Sequence, residues 1–198
     1  MNSGEKVLDS IVEANLHKNP LSDTSLMLKV KDGDLQKLGL LFERYKKLLF
    51  VYFYKLAKDQ VVAEDLVQMV FLRVIKYRHA YRGDGSFKTW LFHIARNIHV
   101  DNWKKESRLG YKVSGEVSLD NLYHDDIEAE RKEVALARLE KALGLLDAEK
   151  REILVLAKLK GMRYKEIGAL LKMTESNVKI KVFRALKELK IKFDELED

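Results

Sequence analysis

Residues 163–189 read RYKEIGALLKMTESNVKIKVFRALKEL, and the reading of this stretch decides the fold. It predicts a short helix to Lys172, a tight turn at Met173-Thr174-Glu175 with Thr174 as N-cap, and a longer helix from Ser176. At roughly 100° per residue, Val178, Val182, Ala185, Leu186 and Leu189 share one face of the longer helix. Asn177, Ile180, Arg184 and Lys187 share the opposite face, with Lys179 and Lys181 on its flanks. A helix of this kind fits a DNA major groove, its first turn meeting base edges and its flanking cations meeting phosphates. Ser176, Asn177, Ile180 and Lys181 are the candidates to reach bases, and an exposed Ile180 suits a thymine methyl. The competing reading is a plain helical hairpin whose lysines supply solubility.

Upstream, residues 131–143 predict a helix with Val134, Leu136, Leu139 and Leu143 as apolar positions. Asp147 is a cap for a second helix over 148–159, stopped by Gly161. The rest of the chain points to helix as well. Its 198 residues hold one proline, Pro20, so the following stretch has no fixed-φ break. Few runs alternate apolar and polar residues, and little or no sheet is expected.

Length allows one or two small domains, and 46% apolar residues suffice for real cores. The absence of cysteine excludes disulfides, thiolate metal sites and cysteine nucleophiles. No stretch approaches a membrane span and no signal-like segment opens the chain, so a soluble intracellular protein is expected.

Charge divides the chain. Residues 26–112 carry 18 basic and 9 acidic side chains, and residues 131–192 carry 17 and 8. Between them, residues 113–130 hold six acids and no Lys or Arg, and the last six residues add four acids. Two basic modules joined by an acidic connector are expected, and the formal charge of +6 favours an acidic partner. The connector is read first as a solubilising linker, with cover for a basic face as the alternative.

In the first block, Ser22-Asp23 can cap a helix holding Leu26, Met27, Leu28 and Val30, stopped near Gly33-Asp34. Leu38, Leu41, Phe42, Tyr45, Leu48, Leu49, Tyr52 and Phe53 mark a second helix that turns at Lys58-Asp59. A third over 61–79 carries an inward stripe of Val62, Leu66, Val70, Val74 and Tyr77. After a Gly-rich loop, Ser86 can cap a fourth helix, 87–105, with Phe87, Leu91, Ile94, Ala95 and Ile98 inward. Arg96, Asn97, Asp101, Asn102, Lys104 and Lys105 crowd its C-terminal half beside Trp103. That composition suits phosphates, bases and a stacking ring, though basic amphipathic helices also bind membranes or proteins.

Catalytic and cofactor chemistry is poorly represented. His93 and His99 lie on different helical faces, and His17, His79 and His124 are scattered, so no metal site is expected. Gly83-Asp84-Gly85 lacks the spacing of a phosphate-wrapping loop. No cofactor, nucleophile–base pair or paired carboxylates are indicated. Enzymatic activity is not expected.

Three stretches carry a family resemblance. Residues 65–74, DLVQMVFLRV, resemble region 2.2 of bacterial RNA polymerase sigma factors of the extracytoplasmic-function (ECF) subfamily of the sigma-70 family. Residues 87–101, FKTWLFHIARNIHVD, resemble the adjoining promoter-recognition helix. Arg151-Glu152-Ile153, Tyr164-Lys165-Glu166-Ile167, Asn177-Val178-Lys179 and Arg184-Ala185 resemble region 4. The resemblance covers roughly residues 23–192 and keeps the family's order.

The resemblance implies an all-α protein of two helical domains: a tail, 1–22; a region 2 bundle, 23–112; a flexible acidic linker, 113–130; a region 4 helix-turn-helix, 131–192; and an acidic tail, 193–198. It implies that Asp65, Gln68, Phe71, Leu72 and the adjoining Arg73 face the clamp helices of the polymerase's largest subunit, with Met69 on the same surface where the family often has an acid. Phe71 and Leu72 have a core role as an equal alternative. Tyr81, Arg82 and Ser86 of the loop, with Arg96, Asn97, Asp101, Asn102, Lys104 and Lys105, would meet the −10 element. Arg163, Thr174, Ser176, Asn177, Lys179, Ile180, Lys181 and Arg184 would meet the −35 element.

Asp147 stands where the family often has Pro, Ser176 for Gly and Asn177 for Thr, and Lys179-Ile180-Lys181 replaces Lys-Ser-Arg, which changes base-reading geometry. The implied partners are core RNA polymerase, through its clamp helices and flap region, promoter DNA, and an anti-sigma factor. The implied location is cytoplasmic, at the nucleoid or polymerase or held at the inner membrane by that factor, without membrane insertion. A single-module helix-turn-helix regulator independent of polymerase is the alternative.

Overall fold

The computed structural model describes residues 22–109, 127–158 and 162–196. The expected N-terminal tail up to Leu21, the linker from 113 to 126, the stop at Gly161 and the last two acids lie outside the described residues. The chain divides into two compact units, Met1–Val113 and Ser114–Asp198. Among the described residues all regular structure is helical.

The first unit begins with α1, Asp23–Lys31, where Ser22 Oγ accepts the Ser25 N–H at 3.1 Å. Gly33, at φ +109°, turns the chain into α2, Gln36–Ala57. Leu38, Leu41, Tyr45, Leu49, Tyr52 and Phe53 are its buried stripe. Lys58 leaves that helix in the left-handed region, and Asp59 caps α3, Gln60–Lys76, by accepting the Val62 N–H at 2.9 Å.

A short 3-10 turn, Arg78–Ala80, and the loop after it lead into α4, Phe87–Leu109. Helix α3 packs against α2 and α4, and α1 packs against α2 and α4. The core is aromatic at its centre: Phe42 meets Phe71 edge-on at 4.9 Å, and Tyr52 meets Phe92 at 5.3 Å.

Three inward assignments change, the first being Val62, which is only half-buried. Tyr77 is exposed at the C-cap of α3, so the stripe ends at Val74 and is widened by Ala63, Val67 and Phe71. In α4 the fully buried ring is Phe92, while Ile94 is half-buried. The last two reflect an apolar sector broader than one residue per turn, because two neighbouring helices cover it.

In the second unit, α5 spans Ile127–Leu145, α6 Ala148–Lys158, α7 Tyr164–Leu171 and α8 Glu175–Asp194. Helix α5 starts within the stretch expected as linker. Its Val134, Leu136 and Leu139 are exposed, and Ala142 and the following Leu146 enter the core instead.

Asp147 Oδ1 accepts the Lys150 N–H at 2.8 Å, the capping expected in place of Pro. Half-buried Arg151 donates to the carbonyls of Leu143, Gly144 and Leu146 at 3.1, 2.7 and 2.9 Å. It thereby satisfies acceptors left open where α5 ends. Helix α8 packs on α5, α6 and α7, burying Val178, Val182 and Ala185. Leu186 is exposed and Leu189 half-buried.

Candidate nucleic-acid and protein interfaces

On α3, the three- and four-residue spacing that buries one stripe turns another outward. Asp65, Gln68, Met69 and Leu72 are all exposed, Leu72 at 66%. Phe71 belongs to the core: it is 6% exposed and held against Phe42, so its ring is not part of that outer face. Arg73 lies half-buried beside the stripe and donates to Asp101 Oδ2 of α4 at 3.1 Å. The Asp101 carboxylate, grouped by sequence with the DNA-facing side chains, is therefore engaged by a cation of the neighbouring helix.

The loop before α4 carries Arg82, Asp84 and Ser86 outward. Tyr81 does not join them. It is 3% exposed, its ring edge-on to Trp90 at 5.2 Å and Phe87 at 6.0 Å. Burial raises its phenol pKa, so the hydroxyl stays neutral. Ser86 Oγ accepts the Thr89 N–H at 3.4 Å and so serves the start of α4.

Further along α4, Asn97, Trp103, Lys104 and Lys105 are exposed, while Arg96 and Asn102 are half-buried. Asp101, Lys104, Lys105 and Arg108 line an open cleft of about 450 Å³. Arg108 was not singled out by sequence, although it extends the same basic run by one turn. His93 is half-buried, and burial, then the nearby Arg96, lowers its pKa. Among the described residues no group of three His, Asp or Glu side chains is placed to hold a metal ion.

In the second unit, Thr174 Oγ1 accepts the Asn177 N–H at 3.2 Å, fixing the start of α8. Gly168 permits the tight turn: a Cβ there would lie 2.6 Å from the Met173 carbonyl oxygen. Ser176, Asn177, Lys179, Ile180 and Arg184 are exposed on α8, and Arg163 is exposed before α7. Two of the cations have acidic partners, Lys179 with Glu175 at 3.0 Å and Lys181 with Glu149 of α6.

A second surface escaped the sequence reading. Ala135, Leu136 and Leu139 of α5 face Leu186, Leu189, Lys190 and Phe193 of α8 across an apolar groove of about 680 Å³. Phe183, 70% exposed, is a further apolar side chain on α8. Phe193 lies within the stretch expected as an acidic tail but belongs to α8, where Arg138 lies over its ring at 3.9 Å and donates to its carbonyl at 2.7 Å. The groove's only signal was a run of leucines broader than one buried face requires.

The described residues thus form an all-helical protein of one helical bundle and one helix-turn-helix unit, with exposed basic side chains in each and an apolar groove in the second. Residues 41–109 match the model of sigma-70 region 2, and residues 136–189 that of sigma-70 region 4. The chain is similar to the ECF RNA polymerase sigma factor SigM of Bacillus subtilis (strain 168), 30% identical over 153 residues, spanning 76% of this chain and 91% of that protein. It is also 28% identical over 158 residues to SigX of the same organism, covering 76% of this chain and 80% of SigX. Among solved structures, its fold is similar to that of the sigma factor RpoE from Bartonella quintana, crystallised with the anti-sigma factor NepR. The TM-score is 0.68 at 22% identity, covering 80% of this chain and 98% of that one. The chain belongs to the ECF subfamily of sigma-70 RNA polymerase sigma factors.

Proposed function

We infer that the chain binds core RNA polymerase and directs it to promoters, supplying recognition and melting while the polymerase performs the covalent chemistry. The observation that carries this reading is the pairing, in one chain, of a region 2 unit with a region 4 helix-turn-helix. Region 2 corresponds to residues 23–112 and region 4 to 131–192, with 113–130, whose last four residues lie in α5, as connector. The exposed Asp65, Gln68, Met69 and Leu72 form the contact with the clamp helices. The apolar groove of α5 and α8 suits the polymerase flap region, or an anti-sigma factor that competes for it.

Arg82, Asp84 and Ser86 with the C-terminal half of α4 meet the −10 element. Drawing a base out of the stack costs about a few kcal/mol, offset by a pocket and phosphate contacts. Ser176, Asn177, Ile180 and Lys181 read the −35 major groove. Arg163, Lys179 and Arg184 meet phosphates, and Thr174 presents the helix. In the free protein, partners of Lys179 and Lys181 are acidic side chains, so DNA must exchange for them. Sequestration by an anti-sigma factor, at the membrane or in solution, is the regulation this reading brings.

The test is run-off transcription from a genomic fragment library with the purified chain, core polymerase, or both. Specific products arise only from the pair. Binding to promoter DNA with no affinity for core polymerase would instead establish a single-module regulator.

A further inference from the structure

We infer that helix α1 sets the shape of the 81–86 loop, with Lys31, Thr24 and Leu28 as positioning residues for reading the −10 element. The inference rests on the assignment of that loop to the −10 contact. A loop with glycines at 83 and 85 has little shape of its own and loses much freedom when ordered. Three contacts from α1 supply the order. Lys31 Nζ donates to the Tyr81 carbonyl at 2.9 Å, across 50 residues of chain. The Tyr81 hydroxyl lies 3.3 Å from Thr24 Oγ1 and 3.4 Å from the Gly85 carbonyl, so one buried ring braces both ends of the loop against α1. Gly83 adopts φ +78°, and the place of its missing Cβ is 3.4 Å from Leu28 Cδ2, which forms the floor beneath the turn.

The exposed side chains of the loop, Arg82, Asp84 and Ser86, therefore stand on a backbone held from below at its start, middle and end. Base discrimination needs donors and acceptors held in place before the base arrives. None of the three α1 residues belongs to the polymerase or DNA surfaces assigned above. Their effect is transmitted through Tyr81 and Gly83.

The experiment uses the full chain bound to core polymerase. Its probes are fluorescein-labelled single-stranded DNAs carrying the non-template −10 sequence of a promoter recovered by run-off, and the same strand with each base replaced. The readout is the ratio given by the Kd of each replaced strand divided by that of the parent strand. Lys31→Met and Leu28→Ala each lower that ratio about five- to tenfold, the size of a lost hydrogen bond or packing contact. Lys31→Arg restores it, and affinity for core polymerase stays native throughout. Leu28 has no charge, so its effect is not a lost phosphate contact.

Native ratios in both Lys31→Met and Leu28→Ala, failure of Lys31→Arg to rescue, or a parallel loss of polymerase affinity would each overturn the inference. A joint Arg82→Ala/Asp84→Ala change separates it from the reading beneath it. If that change lowers the ratio and the α1 variants do not, only the anchoring fails. If it too leaves the ratio native, the loop is not the reader and both fail.

Discussion

At the scale of single residues, two glycines on helices make opposite demands. Gly168 faces the Met173 carbonyl at a distance no methyl group tolerates, and the obstacle is backbone. Gly39, in α2, faces open space. Gly168→Ala is expected to destabilise by about 2 kcal/mol or more through forced displacement of the turn. Gly39→Ala should stabilise by about 0.5–1 kcal/mol through reduced chain entropy. Urea unfolding of the two variants checks both signs.

His93 makes a second residue-scale prediction. Its folded pKa lies below the ordinary 6.5, first through burial and then through Arg96. The unfolded chain therefore binds the proton more readily, and stability rises with pH through this window. The penalty is absent above 6.5, grows as pH falls from there to the folded value, and is complete below it. His93→Gln should flatten that part of the stability profile measured from pH 7 to pH 5. An unchanged slope would mean that another group titrates.

At the scale of elements, α3 shows what periodicity reveals and what it leaves open. Phe71 and Leu72 are adjacent and both apolar, but successive helical side chains point roughly 100° apart. One enters the core beside Phe42, and the other faces solvent. Phe71→Ala should lower stability by about 3–5 kcal/mol, the usual loss for an emptied aromatic site. Leu72→Ala should change stability by less than about 0.5 kcal/mol while weakening core polymerase binding about tenfold. Equilibrium unfolding beside a fluorescence binding titration separates the two effects. Native polymerase affinity in a folded Leu72→Ala protein would remove this helix from the interface.

The helices and their caps were legible because their causes are local. Ser22, Ser86, Asp147 and Thr174 each accept a backbone N–H three residues on, and Asp59, read from sequence only as part of a turn, does the same for α3. Facing partners were not legible, because they come from distant sequence. Arg73 reaches Asp101 across 28 residues, and Lys181 reaches Glu149 across 32. Tyr81 looked like a loop side chain until Trp90 and Phe87 supplied an aromatic site for its ring. The groove lined by Leu136, Leu139 and Phe193 was hidden for a similar reason. A leucine on a periodic helix reads as core unless the neighbour that covers it is known to stop short.

At the scale of the whole molecule, the decisive quantity is the distribution of charge. Each basic block carries a net of +9, but the chain carries only +6, because acids are concentrated in residues 113–130 and at the C-terminus and residues 1–25 carry a further −2. A sigma factor must reject random duplex while accepting promoter DNA beside the polymerase, and the non-specific part of binding is almost wholly electrostatic. On charge alone, the six acids of residues 113–130 are expected to lower that part. Replacing Glu116, Asp120, Asp125, Asp126, Glu128 and Glu130 by their amides takes the formal charge from +6 to +12. In about 0.02 M salt, where screening is weak, the full chain should bind random duplex about tenfold more tightly. In about 0.5 M salt the difference should vanish, since the Debye length is then only a few ångströms. With core polymerase present, the ratio of promoter to random-DNA affinity should stay unchanged, because an attraction that is the same for every sequence multiplies both affinities by one factor. Fluorescence anisotropy titrations across that salt range make the comparison. Equal low-salt affinities would show that these acids do not temper the basic surfaces, leaving non-specific binding to be limited by the ion pairs on α8 itself.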